Sequence, residues 1–417
     1  MSVNSSSTFT PCQQKAHAVL TDGNANIFLT GCAGSGKSYL IREFLKQESR
    51  ETFPVLASTG AAAVLVGGRT FHSFFGIGIL EGGVEAAVKK AIKDKRVVKR
   101  LRACNGMVID EVSMLPGAAL EAAEAVARSA RQKNLPWGGL RVITVGDFAQ
   151  LPPVSRSGPT DWAFQAPVWQ NSEFDNLVLN TVTRTADADF AATLDDVRQG
   201  RVTERVKNWL NERLDPEADV SDMTVLMPRR DQAEKVNLVR LQEIEGEAQV
   251  FPTQYEGESR AIDSLKRNAP VPEQLALKIG ARVMIRVNDQ GFRYVNGTTA
   301  VVAGITKDEI TVVTSKGREF TLEPVSFAWQ DAEGKVTASA KNFPLNLAYA
   351  ATIHKAQGAT LDRVMADLRN LWDAGQAYVA VSRVRRPSDL TLSGWSEKSV
   401  RMDESVRTFY AGLRSAK

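Results

Sequence analysis

The spacing of hydrophobic and polar positions changes texture three times along the chain. Residues 25–30 (Ala-Asn-Ile-Phe-Leu-Thr) form a short apolar run that ends in a glycine-rich turn, and 39–45 then carry apolar side chains at helical spacing. That pattern predicts strand, loop and helix in succession. Further apolar runs at 54–57, 107–109 and 142–145 are separated by helical stretches such as 120–130. Strands alternating with helices predict an α/β first half built on a doubly wound parallel sheet. Between 78 and 104, Val84, Val88, Ala91 and Ile92 fall at helical spacing amid Lys89, Lys90, Lys93, Lys95, Arg96, Lys99, Arg100 and Arg102. This reads as a small basic helical insertion, its charged face either solvated or turned to a polyanion. From 281 to 343 short alternating runs (283–287, 298–305, 309–314, 319–322) are punctuated by Asn296-Gly297, Lys316-Gly317 and Glu333-Gly334. They predict a small β-barrel. The α/β texture returns after 345.

Length and composition narrow the classes. At 417 residues and 45.5 kDa the chain exceeds what one core supports, so two to four compact units are expected. No apolar run reaches the roughly 18 residues that a membrane helix needs. Residues 1–10 lack the basic start and apolar stretch of a secretory leader, so the expectation is a cytoplasmic protein, nucleoid-associated if bacterial. Cys12, Cys32 and Cys104 have neither disulfide-framework nor zinc spacing, which fits a reducing compartment. A net charge of +4 is too small for a histone-like binder, so any nucleic-acid surface must be local.

Chemistry concentrates in three places. Gly31-Cys32-Ala33-Gly34-Ser35-Gly36-Lys37-Ser38 fits G-x-x-x-x-G-K-[ST] between a predicted strand and a predicted helix. Backbone N–H groups around Gly31, Gly34, Ser35 and Gly36 would close on phosphates, Lys37 would reach the outer ones, and Ser38 would ligate Mg2+. Such a loop needs an acidic element at a neighbouring strand end, and Asp110-Glu111 follows the run 107–109. Asp110 would hold the magnesium through its waters and Glu111 would act as general base on the attacking water. Past the strand 142–145, Gln150 places an amide that can bond both that water and the γ-phosphate of ATP, stiffened by Pro152-Pro153.

These runs, with others, make the chain resemble the PIF-type branch of the RecD-like superfamily 1 DNA helicases, related to RecD and phage Dda. The resemblance rests on Gln14 within Thr10-Pro11-Cys12-Gln13-Gln14, on Ala57-Ser58-Thr59-Gly60 and on Gly67-Gly68-Arg69-Thr70-Phe71-His72-Ser73-Phe74. It continues in Pro136-Trp137-Gly138-Gly139, in Gly146-Asp147-Phe148-Ala149-Gln150-Leu151-Pro152-Pro153 and in Thr181-Val182-Thr183-Arg184, where the family more often has Phe-Arg-Gln. It ends in Thr352-Ile353-His354-Lys355-Ala356-Gln357-Gly358 and Gly375-Gln376-Ala377-Tyr378-Val379-Ala380-Val381-Ser382-Arg383. The resemblance implies that Gln14 recognises adenine, that Gln357 and Gly358 touch the nucleotide, and that Arg184 and Arg383 approach its phosphates from a second motor domain. It also implies strand contacts by Ser58, Thr59, Gly60, His72, Pro152, Thr352 and His354, whereas His17 reads as an ordinary helix residue.

The implied architecture is two RecA-like parallel-sheet motor domains (1–77 with 104–172, and 173–282 with 344–417). A small wedge insertion (78–103) and an SH3-like β-barrel insertion (283–343) complete it. The implied activity is ATP- and Mg2+-dependent movement along single-stranded DNA, 5′-to-3′, by a monomeric motor that opens single-strand/duplex junctions, with G-quadruplexes as a further substrate. Two other readings share some of the motifs. A DNA-stimulated translocase would remodel nucleoprotein without separating strands. A P-loop small-molecule kinase or nucleotide-gated binding module would hydrolyse ATP indifferently to DNA, and it leaves Gln150, His72 and Arg383 without a role.

Overall fold

A computed structural model describes residues 9–49, 51–58, 62–63, 69–78, 80, 82–153, 158–289, 293–294, 296–330 and 336–415. Its first sheet has six strands, all paired in parallel, in the order Arg69–Thr70, Val55–Ala57, Gly106–Asp110, Arg141–Val145, Ile27–Gly31, Asp175–Leu179. Strand Ile27–Gly31 is buried along its whole length, because both faces are covered. Phe28 packs into a core with Phe75, Trp137 and Phe148, while Ile27 and Leu29 point the other way onto Leu40 and Phe44. Double burial of this kind gives continuous apolar runs rather than alternation, which is the pattern read from the sequence.

The basic insertion is a pair of helices, Gly83–Lys93 and Lys95–Ala103, hinged at Asp94, whose Oδ1 accepts the Arg96 N–H at 2.9 Å. Ala87, Ala91, Val97 and Leu101 join the first core, so the pair lies against the motor body. Arg100 donates to the Phe74 and Ser73 carbonyls (2.6 and 3.2 Å), and Arg102 to the Ala130 carbonyl (2.7 Å). Those two charges therefore serve helix ends; Lys89, Lys90, Lys93, Lys95 and Lys99 are exposed.

The second sheet is also parallel, in the order Ala350–Thr352, Thr224–Met227, Val364–Asp367, Leu390–Gly394. Helices Ala188–Arg198, Glu204–Asn211 and Gln376–Val381 supply its core, through Phe190, Leu194, Trp209, Leu210 and Val379. Between its first two strands in the chain lie three small antiparallel sheets. Five strands run in the order Glu319–Leu322, Ile310–Thr314, Thr299–Ile305, Arg282–Ile285, Leu345–Leu347. Gln249–Pro252 pairs with Gln274–Leu277, and Val325–Gln330, Val336–Asn342 and Gln254–Gly257 form the third.

Sheet membership moves three of the expected boundaries. Asp175–Leu179 is a strand of the first sheet, so the first domain runs past 172. The β-rich insertion begins at Gln249 rather than 283; its early strands are short and largely exposed, and so carried no alternation to read. Helix Glu404–Ser415, assigned to the second domain by its place in the chain, returns to the first. Val406 and Tyr410 belong to the first core, and the Phe409 ring stacks on Phe164 with centroids 4.4 Å apart. Among the described residues no helix is long and apolar enough to cross a membrane.

Candidate nucleotide and nucleic-acid site

Strand Ile27–Gly31 runs into the glycine-rich loop, and Gly34 (φ 79°) and Gly36 (φ 86°) turn the chain through the left-handed region that only glycine enters freely. Gly36 caps helix Lys37–Phe44 without a side chain, so the first-turn N–H groups stay open for an anion. The Lys37 ammonium donates to the Gly31 and Cys32 carbonyls (2.7 and 3.2 Å). Burial pushes its pKa down, against the pull of Asp147 and Glu111. The Ser35 hydroxyl is buried with no hydrogen-bond partner among the described residues. A loop with its lysine folded onto its own carbonyls and an orphan hydroxyl beside it fits a phosphate chain.

Asp110 ends strand Gly106–Asp110, and Glu111 adopts φ 51°, a strained conformation for a side-chain-bearing residue. Asp110 Oδ1 accepts the Glu111 N–H at 2.9 Å, and Glu111 Oε2 accepts from Gln357 Nε2 at 3.0 Å. Burial raises the Asp110 carboxyl. Burial and then the Asp110 charge raise Glu111 to about 7, with Lys37, Gln357 and Arg383 opposing. A cavity of about 500 Å³ gathers Lys37, Ser38, Glu111 and Gln150 from one sheet opposite Gly358 and Arg383 from the other, a volume suited to a nucleotide.

Arg383 is 1% exposed. Its fork donates to the Val379 (2.7 Å), Ala356 and Ala359 (both 3.2 Å) carbonyls and to Ser382 Oγ (2.7 Å). Burial and the neighbouring Arg184 push it down to about 9. Arg184 does not stand across the cleft as expected. The Thr183 and Arg184 N–H groups donate to the Gly34 carbonyl (2.8 and 3.2 Å), and the Arg184 guanidinium donates to the Ser382 carbonyl. Because strand Asp175–Leu179 belongs to the first sheet, the segment after it leaves beside the phosphate loop, and Arg184 bridges the halves.

Gln14, expected to recognise adenine, points away from the phosphate loop. It is exposed, and among the described residues its Nε2 reaches the Phe9 carbonyl alone, at 3.3 Å. Gln13 instead is buried against the loop and donates from Nε2 to the Ser35 carbonyl at 3.0 Å. Adjacent residues on a helix point about 100° apart, so only one of the two glutamines can face the loop. The signal was present: Thr10 and Gln13 form a capping box at the start of helix Pro11–Asp22.

Among the expected strand contacts, Thr59 and Gly60 lie outside the described residues. Ser58 is partly buried, and its hydroxyl has no partner among the described residues. His72 is in helix Phe71–Phe75; both it and His354 have pKa values lowered by burial, which favours the neutral ring. Pro152 is partly exposed near the cleft residue Gln150. Thr352 is buried, and its hydroxyl accepts the Lys355 N–H at 3.1 Å, so that oxygen is committed to capping helix Ile353–Ala356.

Three ties between the halves had no role in the sequence reading. Fully buried Asp147 takes both arms of Arg198 (2.9 and 2.8 Å) and the Tyr410 hydroxyl (3.0 Å), which in turn accepts the Phe148 N–H at 2.9 Å. The Tyr378 hydroxyl accepts the Ala33 N–H of the phosphate loop at 2.6 Å. Gly375 packs so closely that a Cβ there would sit 2.2 Å from the Gln150 carbonyl oxygen. Asp147 and Tyr378 lie inside the motif-like runs 146–153 and 375–383; Arg198 carries no signal beyond its helix.

Two parallel sheets, a phosphate loop on one and a buried arginine presented by the other define a nucleotide-driven motor of the P-loop class. The PIF1-like helicase profile matches residues 10–208. The chain is 51% identical over 400 residues to the ATP-dependent DNA helicase Pif1 of Bdellovibrio bacteriovorus, covering 96% of this chain and 91% of that one. It spans 61% of the length of the Xenopus laevis and human PIF1 helicases. The Bacteroides Pif1 structure with ADP-AlF4 superposes with a TM-score of 0.86 at 27% identity, over 98% of each chain. The same protein bound to single-stranded DNA superposes at 0.68, also at 27% identity over 98% of each chain. The chain belongs to the PIF1-like helicase family.

Proposed function

We propose that this chain is an ATP-dependent DNA helicase that moves along single-stranded DNA and opens the duplex at junctions, acting as a monomer in the cytoplasm. The observation that carries the reading is the Gln357–Glu111 hydrogen bond. It joins the general-base candidate on the first sheet to the Thr352–Gly358 segment on the second, so the state of the nucleotide is felt where strand contacts are expected.

Gly31, Gly34, Ser35 and Gly36 cradle the phosphates with backbone N–H groups, and Lys37 exchanges its loop carbonyls for the outer phosphate oxygens. Gln13 and Arg184 flank the loop, on the adenine and phosphate sides respectively. The hydroxyl of Ser38 and the carboxylate of Asp110 are hard oxygen donors that fit Mg2+; when bound, the ion neutralises charge on the transferring phosphoryl group. Glu111 takes the proton of the attacking water and Gln150 orients that water. Arg383 leaves its carbonyl cage to meet charge that develops in the transition state. Loss of that charge on hydrolysis removes the attraction across the cleft and lets the halves part. Alternating grips on the backbone then give sequence-blind steps.

The 5′-to-3′ direction and activity on G-quadruplexes rest on the family resemblance. A duplex with a 5′ single-stranded tail should open when ATP and Mg2+ are added, and one with a 3′ tail should not. Hydrolysis stimulated by DNA without opening of either substrate would favour the translocase reading; hydrolysis indifferent to DNA would sink both.

A further inference from the structure

Arg286 follows strand Arg282–Ile285, where the β-rich insertion joins the second motor sheet; its N–H donates to the Pro344 carbonyl at 2.8 Å. The side chain is 7% exposed. Nη1 donates to the Met284 thioether at 3.2 Å, and Nε has no partner among the described residues. A thioether is a weak acceptor. Burial alone accounts for the drop of its pKa to about 10, with no carboxylate among the described residues opposing it. The contrast with Arg198 is instructive, since that equally buried guanidinium holds Asp147 with both arms.

A second cation stands nearby. Lys355, in the turn capped by Thr352, keeps part of its surface exposed, while burial of its ammonium first, and then the charges of Arg230 and Arg286, lower its pKa. Among the described residues the carboxylate acting on it is that of Glu234, which is already bridged to Arg230. A buried guanidinium without an anion is costly, and a like charge beside it raises the cost. Two cations in such a setting are balanced by an anion that arrives from outside.

We propose that Arg286 and Lys355 form a phosphate subsite for the backbone of single-stranded DNA, at the seam between the insertion and the second motor sheet. The assignment rests on the helicase reading above. Arg286 supplies a planar fork that suits two phosphate oxygens, and Lys355 a point charge reachable from solvent. Neither reads a base, in keeping with a motor that walks on any sequence.

The test is Arg286→Met, which keeps bulk and removes charge, alongside Arg286→Lys. Fluorescent oligo(dT) binding is titrated over a series of salt concentrations. Arg286→Met should melt no lower than the wild type and bind roughly 10-fold more weakly. Its plot of log K against log salt should be shallower by about 0.7, one phosphate's share on a single strand. Arg286→Lys should keep the wild-type slope. On an oligonucleotide with an uncharged methylphosphonate backbone, wild type and Arg286→Met should bind alike. Inorganic phosphate alone should stabilise the two equally; stabilisation of the wild type only would make this a free-anion site and overturn the assignment. So would a lower melting temperature with an unchanged salt slope, the signature of a packing role. A wild type that ignores oligo(dT) would sink the helicase reading itself, an outcome visible without any variant.

Discussion

Glu111 is caught between opposing fields. Burial and Asp110 disfavour its charged form, while Lys37, Gln357 and Arg383 favour it, and the balance lies at about 7. A general base works only when deprotonated, so kcat/KM for ATP should fall as pH drops below about 7 and level off above it. Glu111→Gln should lose that limb and slow hydrolysis by at least roughly 10²-fold while still binding ATP and single-stranded DNA. Stopped-flow phosphate release across pH 5.5–9 checks both, and a profile unaltered by the substitution would remove Glu111 from this role. Lys37, Ser38, Asp110, Glu111 and Gln150 were legible in the sequence because phosphate chemistry demands those residue types at fixed spacing after strands, and Arg383 because its run resembles a family motif; the structure gathers them at or beside one cleft. Gln13 and Arg286 were not. The first hid beside an identical neighbour, and the second is distinguished only by what fails to surround it.

At the level of elements, apolar runs located the central strands to within a residue or two, since double burial leaves little room for polar side chains. The strands Gln249–Pro252 and Gln254–Gly257 were missed for the converse reason, being exposed on most positions. Helix Glu404–Ser415 shows a different limit: periodicity reveals that an apolar face exists, but not which surface it covers. That face carries Phe409 against Phe164, Phe148 and Trp169. Phe409→Ala should therefore destabilise the first motor half by about 2 kcal/mol, less than a fully buried phenylalanine because Phe409 is only partly covered. Urea denaturation followed by tryptophan fluorescence reads this, through Trp162 and Trp169 in the same cluster. An unchanged midpoint would mean that the helix merely rests on the surface.

For the whole molecule, the superposition values separate two arrangements of one fold. At equal sequence identity, agreement with the Bacteroides protein is 0.86 for the ADP-AlF4 complex and 0.68 for the complex with single-stranded DNA. The unliganded Bacteroides protein agrees at 0.84, so the present chain matches the arrangement without DNA more closely than the one with it. In this state Arg383 is held by carbonyls of its own half, so its contribution is expected in the closed transition state rather than in ground-state binding. Arg383→Ala should lower DNA-stimulated turnover by roughly 10³-fold or more and change the ATP dissociation constant by only a few-fold. Single-turnover hydrolysis alongside equilibrium nucleotide binding separates the two; equal loss in both would assign the residue to uniform binding.

The return of helix Glu404–Ser415 to the first sheet means that the polypeptide passes between the two halves at two separate points. Bodies joined in that way give up most of their relative freedom and keep chiefly a swing about the line through both joints. The distance advanced per ATP is then fixed by the geometry of the scaffold, whatever bases lie on the track.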